Sequence, residues 1–194
     1  MKTQIKIAIA VFVSSFYSYA QEGIEVPFNT VIGIPSGTYV KDIDNKLLPY
    51  VGTWEGEWDG KKFTLVIEKR FKEINMSESG YYYYEDRLVG KYKITTLSNN
   101  VVIANNLNEQ NYNLMKIRNS GSGKNNALWM LYLDKDLCSV TASFVLRGNP
   151  ATNQLEYRGF LQDEYWNSQG CQFAGLEDIY NLIPIPKVNL VLTR

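Results

Sequence analysis

The stretch that decides the fold is GTWEGEWDGKKFTLVI, residues 52–67. In its first half, Trp54 and Trp58 share a face with Gly56 and alternate with polar residues, as in a strand with one buried side. Asp59-Gly60 follows and is among the strongest signals for a tight β-hairpin. Apolar side chains then recur at positions 63, 65 and 67. These features predict two antiparallel strands joined by a two-residue turn.

The remainder of the chain also reads mainly as strands. Further strands are predicted at residues 81–85, 88–96, 101–104, 112–118, 128–133, 140–146, 155–159 and 188–192. They predict an all-β fold, an antiparallel meander of eight to ten strands. A closed barrel hides the strand edges most simply, and a sandwich is the alternative. Short helical turns are predicted at residues 44–50 and 176–182.

Residues 1–20 have the pattern of a removable export signal. Lys2 and Lys6 precede an apolar run at residues 7–13, and Ser18-Tyr19-Ala20 places small residues where a signal peptidase cleaves. The run is too short for a transmembrane anchor, which needs about 20 apolar residues. We expect a periplasmic or secreted protein without a membrane span, with an extended arm at residues 21–45 and a single barrel domain at 46–194.

Cys138 and Cys171 are the only two cysteines of the chain. An oxidising compartment favours a disulfide between them, so export predicts that they are bonded. Two separate buried thiols are the alternative.

Composition excludes several classes of function. The chain has 194 residues and no histidine, which removes Ser-His-Asp and Cys-His nucleophile systems and imidazole metal sites. We assign no catalytic residue, no metal and no cofactor. Its formal net charge is +0, and loss of the two signal-peptide lysines would leave about −2, which argues against nucleic acid as a partner.

Aromatic residues provide the candidate binding site. In the run Tyr81-Tyr82-Tyr83-Tyr84, alternation sends Tyr82 and Tyr84 to one face and the other two to the opposite face, so one pair should face the barrel interior. Tyrosine rings can form a platform for a sugar or another flat ligand, or can simply be half-buried strand residues. The candidate ligand-binding residues are Trp54, Trp58, Phe63, Leu65, Tyr82 and Tyr84, which could equally pack a filled core.

Two resemblances accompany this interpretation. Gly52-Thr53-Trp54, preceded by a predicted helical turn, resembles the first strand of the calycins, the lipocalin and fatty-acid-binding barrels, and Arg194 is a candidate to pack near the tryptophan. Most of the chain from residue 21 onward resembles an uncharacterised family of exported Gram-negative bacterial proteins, classed as a domain of unknown function. The segments that carry this second resemblance are 50–54, 59–61, 86–91, 131–134 with Cys138, 185–186 and 192–193. It implies an exported β-rich domain and no particular activity.

Three functions are compatible with these features. The first is binding of a small apolar or amphipathic ligand inside a barrel. The second is an envelope or surface interaction protein, in which exposed aromatics on a packed scaffold contact a surface polymer or a protein. The third is a carboxylate-dependent hydrolase, which requires two acids facing one cleft.

Overall fold

The structure is a computed structural model that describes residues 23–28, 30, 33–122, 126–149, 151–162, 170–173 and 178–194. The predicted export signal lies outside the described residues. The strands are β1 (Glu25–Pro27), β2 (Tyr39–Lys41), β3 (Gly52–Trp58), β4 (Lys61–Met76), β5 (Tyr82–Thr96), β6 (Val102–Asn105), β7 (Ile117–Ser122), β8 (Ala127–Asp134), β9 (Val140–Asn149), β10 (Gln154–Gln162) and β11 (Leu190–Thr193).

Eight of these strands form a closed antiparallel barrel. The order around it is β5-β4-β3-β11-β10-β9-β8-β7, and β7 pairs with β5 to complete the circle. The predicted all-β meander and its closure are therefore confirmed. Three short strands lie outside the barrel: β6 pairs with β5, whereas β2 pairs in parallel with β5 and β1 in parallel with β2.

The first hairpin matches its prediction in detail. Trp54 pairs with Leu65 and Gly56 with Phe63, which places the apolar side chains of both strands on one face. Asp59 and Gly60 have φ values of 44° and 68°, as a tight hairpin turn requires.

The barrel core is built from inward-facing aromatic and branched side chains. Phe63, Leu65, Phe144 and Tyr157 are each 0 % exposed. The rings of Phe144 and Tyr157 are stacked with centroids 4.7 Å apart, and Phe63 meets Tyr157 edge-on at 6.0 Å. Tyr157 therefore joins Phe63 and Phe144 in one packed ring cluster inside the barrel.

Two segments outside the strands cover the ends of the barrel. Leu47 and Tyr50 belong to the core at the end where β3 begins, and Ile179, Ile183 and Ile185 belong to it at the end where β11 begins. The Tyr157 hydroxyl donates to the Pro186 carbonyl oxygen at 2.7 Å, which fixes the second segment to the core.

Short 3-10 turns replace the predicted helical turns. One covers Leu48–Tyr50 and so begins later than predicted, and another covers Ile179–Leu182, while residues 174–177 are not described. Two further turns among the described residues cover Tyr112–Leu114 and Lys135–Leu137. No helix in the described part of the chain is long and apolar enough to span a membrane.

The predicted pairing of Cys138 with Cys171 is present. Their sulfur atoms are within bonding distance, and their Cα atoms are 5.6 Å apart. The bond links the turn after β8 to the chain that follows β10.

Glycines allow close approach between β5 and β7 and between β3 and β11, the two strand pairs that join β3–β5 to β7–β11 around the barrel. A Cβ on Gly90 would lie 2.6 Å from Ile117 Cγ2 on β7, and a Cβ on Gly56 would lie 2.5 Å from Leu192 Cδ2 on β11. Because carbon atoms normally pack at about 3.5–4.0 Å, neither position has room for a side chain.

Candidate functional site

The six candidate ligand-binding residues do not form one site. Trp54, Phe63 and Leu65 are buried in the barrel core, and Trp58 is half-buried beside Phe63 with ring centroids 6.1 Å apart. The remaining two, Tyr82 and Tyr84, lie on a part of β5 that runs past the end of the barrel. The expected alternation of the tyrosines is found, but neither tyrosine pair belongs to the core cluster.

Strands β4 and β5 form a long hairpin that extends beyond the end of the barrel. Strand β3 pairs with β4 only as far as Ile67, whereas β4 and β5 stay paired to the end at Met76 and Tyr82. We call residues 68–76 and 82–87 the hairpin extension. One edge of its sheet carries β2 and β1, while the edge formed by residues 68–76 has no strand partner in the described part of the chain.

A bulge separates the extension from the barrel. The pairing shifts between Arg70 and Glu73, and Lys72 there has a positive φ of 56°. Phe71 within the bulge is 69 % exposed. Bulges and charged residues commonly protect strand edges from pairing with other chains. Regular pairing with β5 resumes only after the bulge, so the regular part of this free edge is residues 73–76.

One face of the extension carries a patch of apolar and aromatic side chains. Ile74 pairs with Tyr84, and Met76 pairs with Tyr82, so the four side chains share this face. Met76 is 67 % exposed and Ile74 is 48 % exposed. We call this set, together with Phe71 of the adjacent bulge, the extension patch.

The tyrosines of the patch are partly covered. The rings of Tyr82 and Tyr84 meet edge-to-face with centroids 5.9 Å apart, and both residues are half-buried. The Lys72 ammonium lies 5.3 Å from the centre of the Tyr84 ring and 5.7 Å from that of Tyr39. Each tyrosine therefore offers an edge and a hydroxyl more than an open ring face.

The opposite face of the extension carries the rings of Tyr81 and Tyr83 and a polar cluster around Arg87. Arg87 forms an ion pair with Glu85, and it also donates to Asn75 Oδ1 at 2.6 Å and to the Tyr112 hydroxyl at 3.1 Å. A cavity of about 280 Å³ lies beside this cluster, between the extension, the arm and β7. Because Arg87 bonds to residues of β4, of β5 and of the turn before β7, this cluster holds the extension in place against the barrel.

Buried charges fix the arm to the base of the extension. Lys69 Nζ lies 2.8 Å from an Asp42 carboxylate oxygen and 3.6 Å from one of Asp86. Asp42 also accepts from the backbone N–H groups of Lys46 and Leu47 at 2.7 Å and 3.1 Å. Desolvation by burial, reinforced by the hydrogen bond to Asp86, raises the pKa of Tyr39. The two carboxylates are thus engaged in holding structure, and neither lines a described cavity.

A second buried polar cluster lies at the inner wall near the end of β8. The Tyr132 hydroxyl donates to Asp134 at 2.7 Å, and Lys116 Nζ lies 2.8 Å from the same carboxylate. Burial raises the pKa of Tyr132, and neighbouring Tyr92 and Asp134 add to the effect. Partial burial lowers the pKa of Lys116, but the hydrogen bonds and charges of Asp134 and Asp136 together outweigh this effect and raise it. Such satisfied networks are typical of structural polar cores.

Arg194 packs on Trp54 at the end of the barrel where β3 begins. Its guanidinium carbon lies 4.2 Å from the centre of the tryptophan ring, and Nη2 donates to the Val51 carbonyl oxygen at 2.7 Å. The Trp54 indole N–H donates to the Tyr50 carbonyl oxygen at 2.8 Å. A cavity of about 370 Å³ adjoins this pair. No group of metal-binding side chains occurs among the described residues.

Comparison with known protein families gives a match over most of the chain. A model of a family of unknown function, DUF6705, matches residues 1–145. The chain belongs to the DUF6705 family. No curated protein and no solved structure gives a significant match, so the calycin resemblance at Gly52-Thr53-Trp54 has no support from a fold neighbour of this DUF6705 protein.

The hairpin extension and the buried charge cluster at its base were not predicted from the sequence. The extension could have been suspected from the unequal lengths of the first strands, because β3 has 7 residues and β4 has 16. The Asp42–Lys69–Asp86 cluster has no comparable local signal, since its members are brought together by parallel pairing of the arm.

Proposed function

We propose that this protein is exported and acts as a binding protein rather than an enzyme, with the barrel as a packed scaffold and the extension patch as the contact with a partner protein. One contrast carries the proposal. Side chains on the inner wall such as Phe63 and Phe144 are 0 % exposed, whereas Phe71 and Met76 on the extension are more than two-thirds exposed. Apolar side chains grouped outside a packed core are typical of interaction sites.

Export is supported by two independent features. Residues 1–20 have the charge and apolar pattern of a signal peptide. The disulfide-paired cysteines are compatible with an oxidising compartment, where such bonds persist.

The chemistry of the patch favours a protein partner over a polysaccharide. A sugar could stack on these tyrosines only if a ring face were open, but Tyr82 and Tyr84 pack edge-to-face and Lys72 lies over Tyr84. The best exposed groups are instead the Met76 thioether and the Ile74 and Phe71 side chains, and methionine and aromatic residues are enriched at protein interfaces.

Two further features of the extension suit a protein. The free edge at residues 73–76 offers backbone N–H and C=O groups to an extended strand. Lys72 has no carboxylate within salt-bridge distance among the described residues, so a partner with an acidic side chain near this edge would be favoured.

Binding of a small apolar ligand inside the barrel is the second candidate function. A closed barrel of eight strands with an aromatic lining favours it, because barrels of this size either fill with side chains or hold one small ligand. It ranks second because the inner rings are in contact with one another. We do not propose a hydrolase. The buried acids Asp42 and Asp86 fix the arm, and the two acids that line one cavity are also bonded within the protein, Asp136 to Lys116 and Glu109 to the Asn111 backbone N–H.

Photo-crosslinking in cells tests the proposed interaction. A photoreactive phenylalanine analogue replaces Phe71 or Met76 in the full chain, and the matched control replaces Val191, which is 56 % exposed on β11. We expect one discrete protein adduct from both extension positions and none from position 191. A smeared, protease-resistant adduct would identify a polysaccharide instead, and no adduct from either position would refute the interaction.

A binding measurement with the identified partner makes the test quantitative. Ile74→Lys combined with Met76→Lys should weaken the complex by at least about tenfold, because it places charge in the centre of the apolar patch. Val191→Lys serves as the matched control and should leave the affinity unchanged. Equal affinity of both variants would place the interface elsewhere.

A further inference from the structure

The cavity beside Arg194 has features of a small-molecule site. Its volume of about 370 Å³ lies in the range of roughly 300–1,000 Å³ that such sites occupy. It forms where three distant parts of the chain meet: the turn before β3, the β9–β10 turn and Arg194.

Side-chain amides dominate the polar lining. Asn45, Asn149, Asn153 and Gln154 contribute to the wall, and the lining contains no aspartate, glutamate or lysine. Within the described part of the chain, the side chains of Asn45, Asn153 and Gln154 make no hydrogen bond, and Asn149 uses only its oxygen, which accepts from the Ala151 N–H at 3.1 Å. Each amide can both donate and accept, so the cavity presents paired donors and acceptors.

Arg194 is held in a fixed position at the wall of the cavity. Its Nη2 group donates to the carbonyl oxygens of Val51 at 2.7 Å and Pro49 at 3.3 Å, and its guanidinium lies over the Trp54 ring. A Cβ on Gly52 would come within 3.2 Å of Arg194 Nε, so the glycine makes room for this position. The cavity thus has a rigid polar wall, in which Nη2 of Arg194 is already bonded to the protein.

We propose that this cavity binds a neutral sugar ring. A sugar hydroxyl donates and accepts hydrogen bonds, and several hydroxyls on one ring match several amides placed around one cavity. The apolar C–H face of the ring fits Leu48, which is 59 % exposed at the cavity. The lining is mostly uncharged, and a neutral ligand loses less hydration energy on entering it than a charged ligand does. This site is separate from the extension patch, and its test is independent of the protein partner.

Titration followed by ¹⁵N NMR tests the proposal with the purified protein. The probes are methyl glycosides of glucose, galactose, mannose and N-acetylglucosamine, with methyl glucuronide as the acidic comparison. We expect at least one neutral glycoside to shift the backbone amide signals of residues 45–48 and 153–154 saturably. The acidic glycoside should bind no better than its neutral counterpart.

Matched variants identify the residues. Asn153→Gly with Gln154→Ala should weaken binding roughly tenfold, since each lost hydrogen bond contributes a several-fold factor. Glycine suits position 153 because its φ is 50°. The control is Asn100→Gly with Gln110→Ala, which alters a positive-φ asparagine (φ 57°) and a glutamine that do not line the cavity.

Each alternative result would overturn the proposal. These are no saturable shift with any neutral glycoside, stronger binding of the acidic glycoside, and equal weakening by the control variant. Should the first variant fail to fold, as judged by circular dichroism, Asn45→Gly removes another amide at a position whose φ is also positive, at 53°.

Discussion

Replacing Gly90 with alanine should destabilise the barrel at the place where it closes. The new Cβ would lie 2.6 Å from Ile117 Cγ2 and 2.9 Å from Ile117 Cβ, so the two strands must separate by about 1 Å to restore normal carbon contacts. Overpacking of this kind costs about 1–3 kcal/mol, and the lower entropy of the unfolded alanine chain offsets about 0.4–1 kcal/mol. The net loss of unfolding free energy is therefore about 1–2 kcal/mol.

Urea unfolding followed by tryptophan fluorescence measures this loss directly. The matched control is Gly121→Ala on β7, because a Cβ at Gly121 would meet no atom within 4 Å. The control should be neutral or slightly stabilising. In thermal unfolding, Gly90→Ala should lower Tm by about 5 °C, since a domain of this size loses about 2–4 °C per kcal/mol.

A double-mutant cycle identifies the contact responsible. Ile117→Ala removes the Cγ2 atom that the new methyl group at position 90 would strike, so Gly90→Ala should cost clearly less in that background than in the natural protein. The same cost in both backgrounds, or equal stability of the Gly90 and Gly121 variants, would refute the close approach of β5 and β7.

Three further perturbations test other contacts. Replacing Cys138 and Cys171 together with alanine should lower the unfolding free energy in urea by up to ~3.7 kcal/mol, from the entropy of a 33-residue loop, and wild-type stability of the variant would contradict a native disulfide. Arg194→Ala should destabilise the fold by about 1–2 kcal/mol and shift tryptophan emission to longer wavelength, while an unchanged spectrum would show that Arg194 does not shield Trp54. Burial raises the pKa of Tyr157 in the folded protein, so the stability that its neutral hydroxyl contributes is complete below pH 10 and falls by about 1.4 kcal/mol per pH unit above it. Tyr157→Phe should therefore reduce the loss of unfolding free energy at alkaline pH. An unchanged loss in this variant would refute the role of the hydroxyl.

Much of the barrel follows from local pattern. The alternation around Trp54 and Phe63 and the Asp59-Gly60 turn predict the first hairpin, because side-chain direction in a strand has a period of two. Closure follows from the need to hide strand edges. The disulfide follows from the cysteine count and the predicted compartment.

Other features depend on contacts between distant segments. Parallel pairing of β2 with β5 brings Asp42 next to Lys69 and Asp86. No residue spacing in the sequence predicts this pairing. The bulge at Lys72 ends the regular pairing near the barrel and lets the hairpin continue beyond it. Both features depend on tertiary contacts, which the periodicity of hydrophobic residues does not predict.

The candidate residues show the same division. Alternation places Trp54, Phe63 and Leu65 on one face, and in the structure all three lie in the core. Tyr82 and Tyr84 obey the same alternation but lie on the extension, because strand length rather than side-chain period decides where the barrel ends. Their role in ligand binding stays a prediction.

Titration of protein labelled on its leucine methyl groups with fatty acids, haem and a hydrophobic dye tests most directly whether the barrel is a packed scaffold. The methyl signals of Leu65, Leu146 and Leu155, which are 0 % exposed, should stay unchanged at every ligand concentration. Saturable shifts of these core signals with any of the ligands would contradict the packed scaffold and establish a binding cavity inside the barrel.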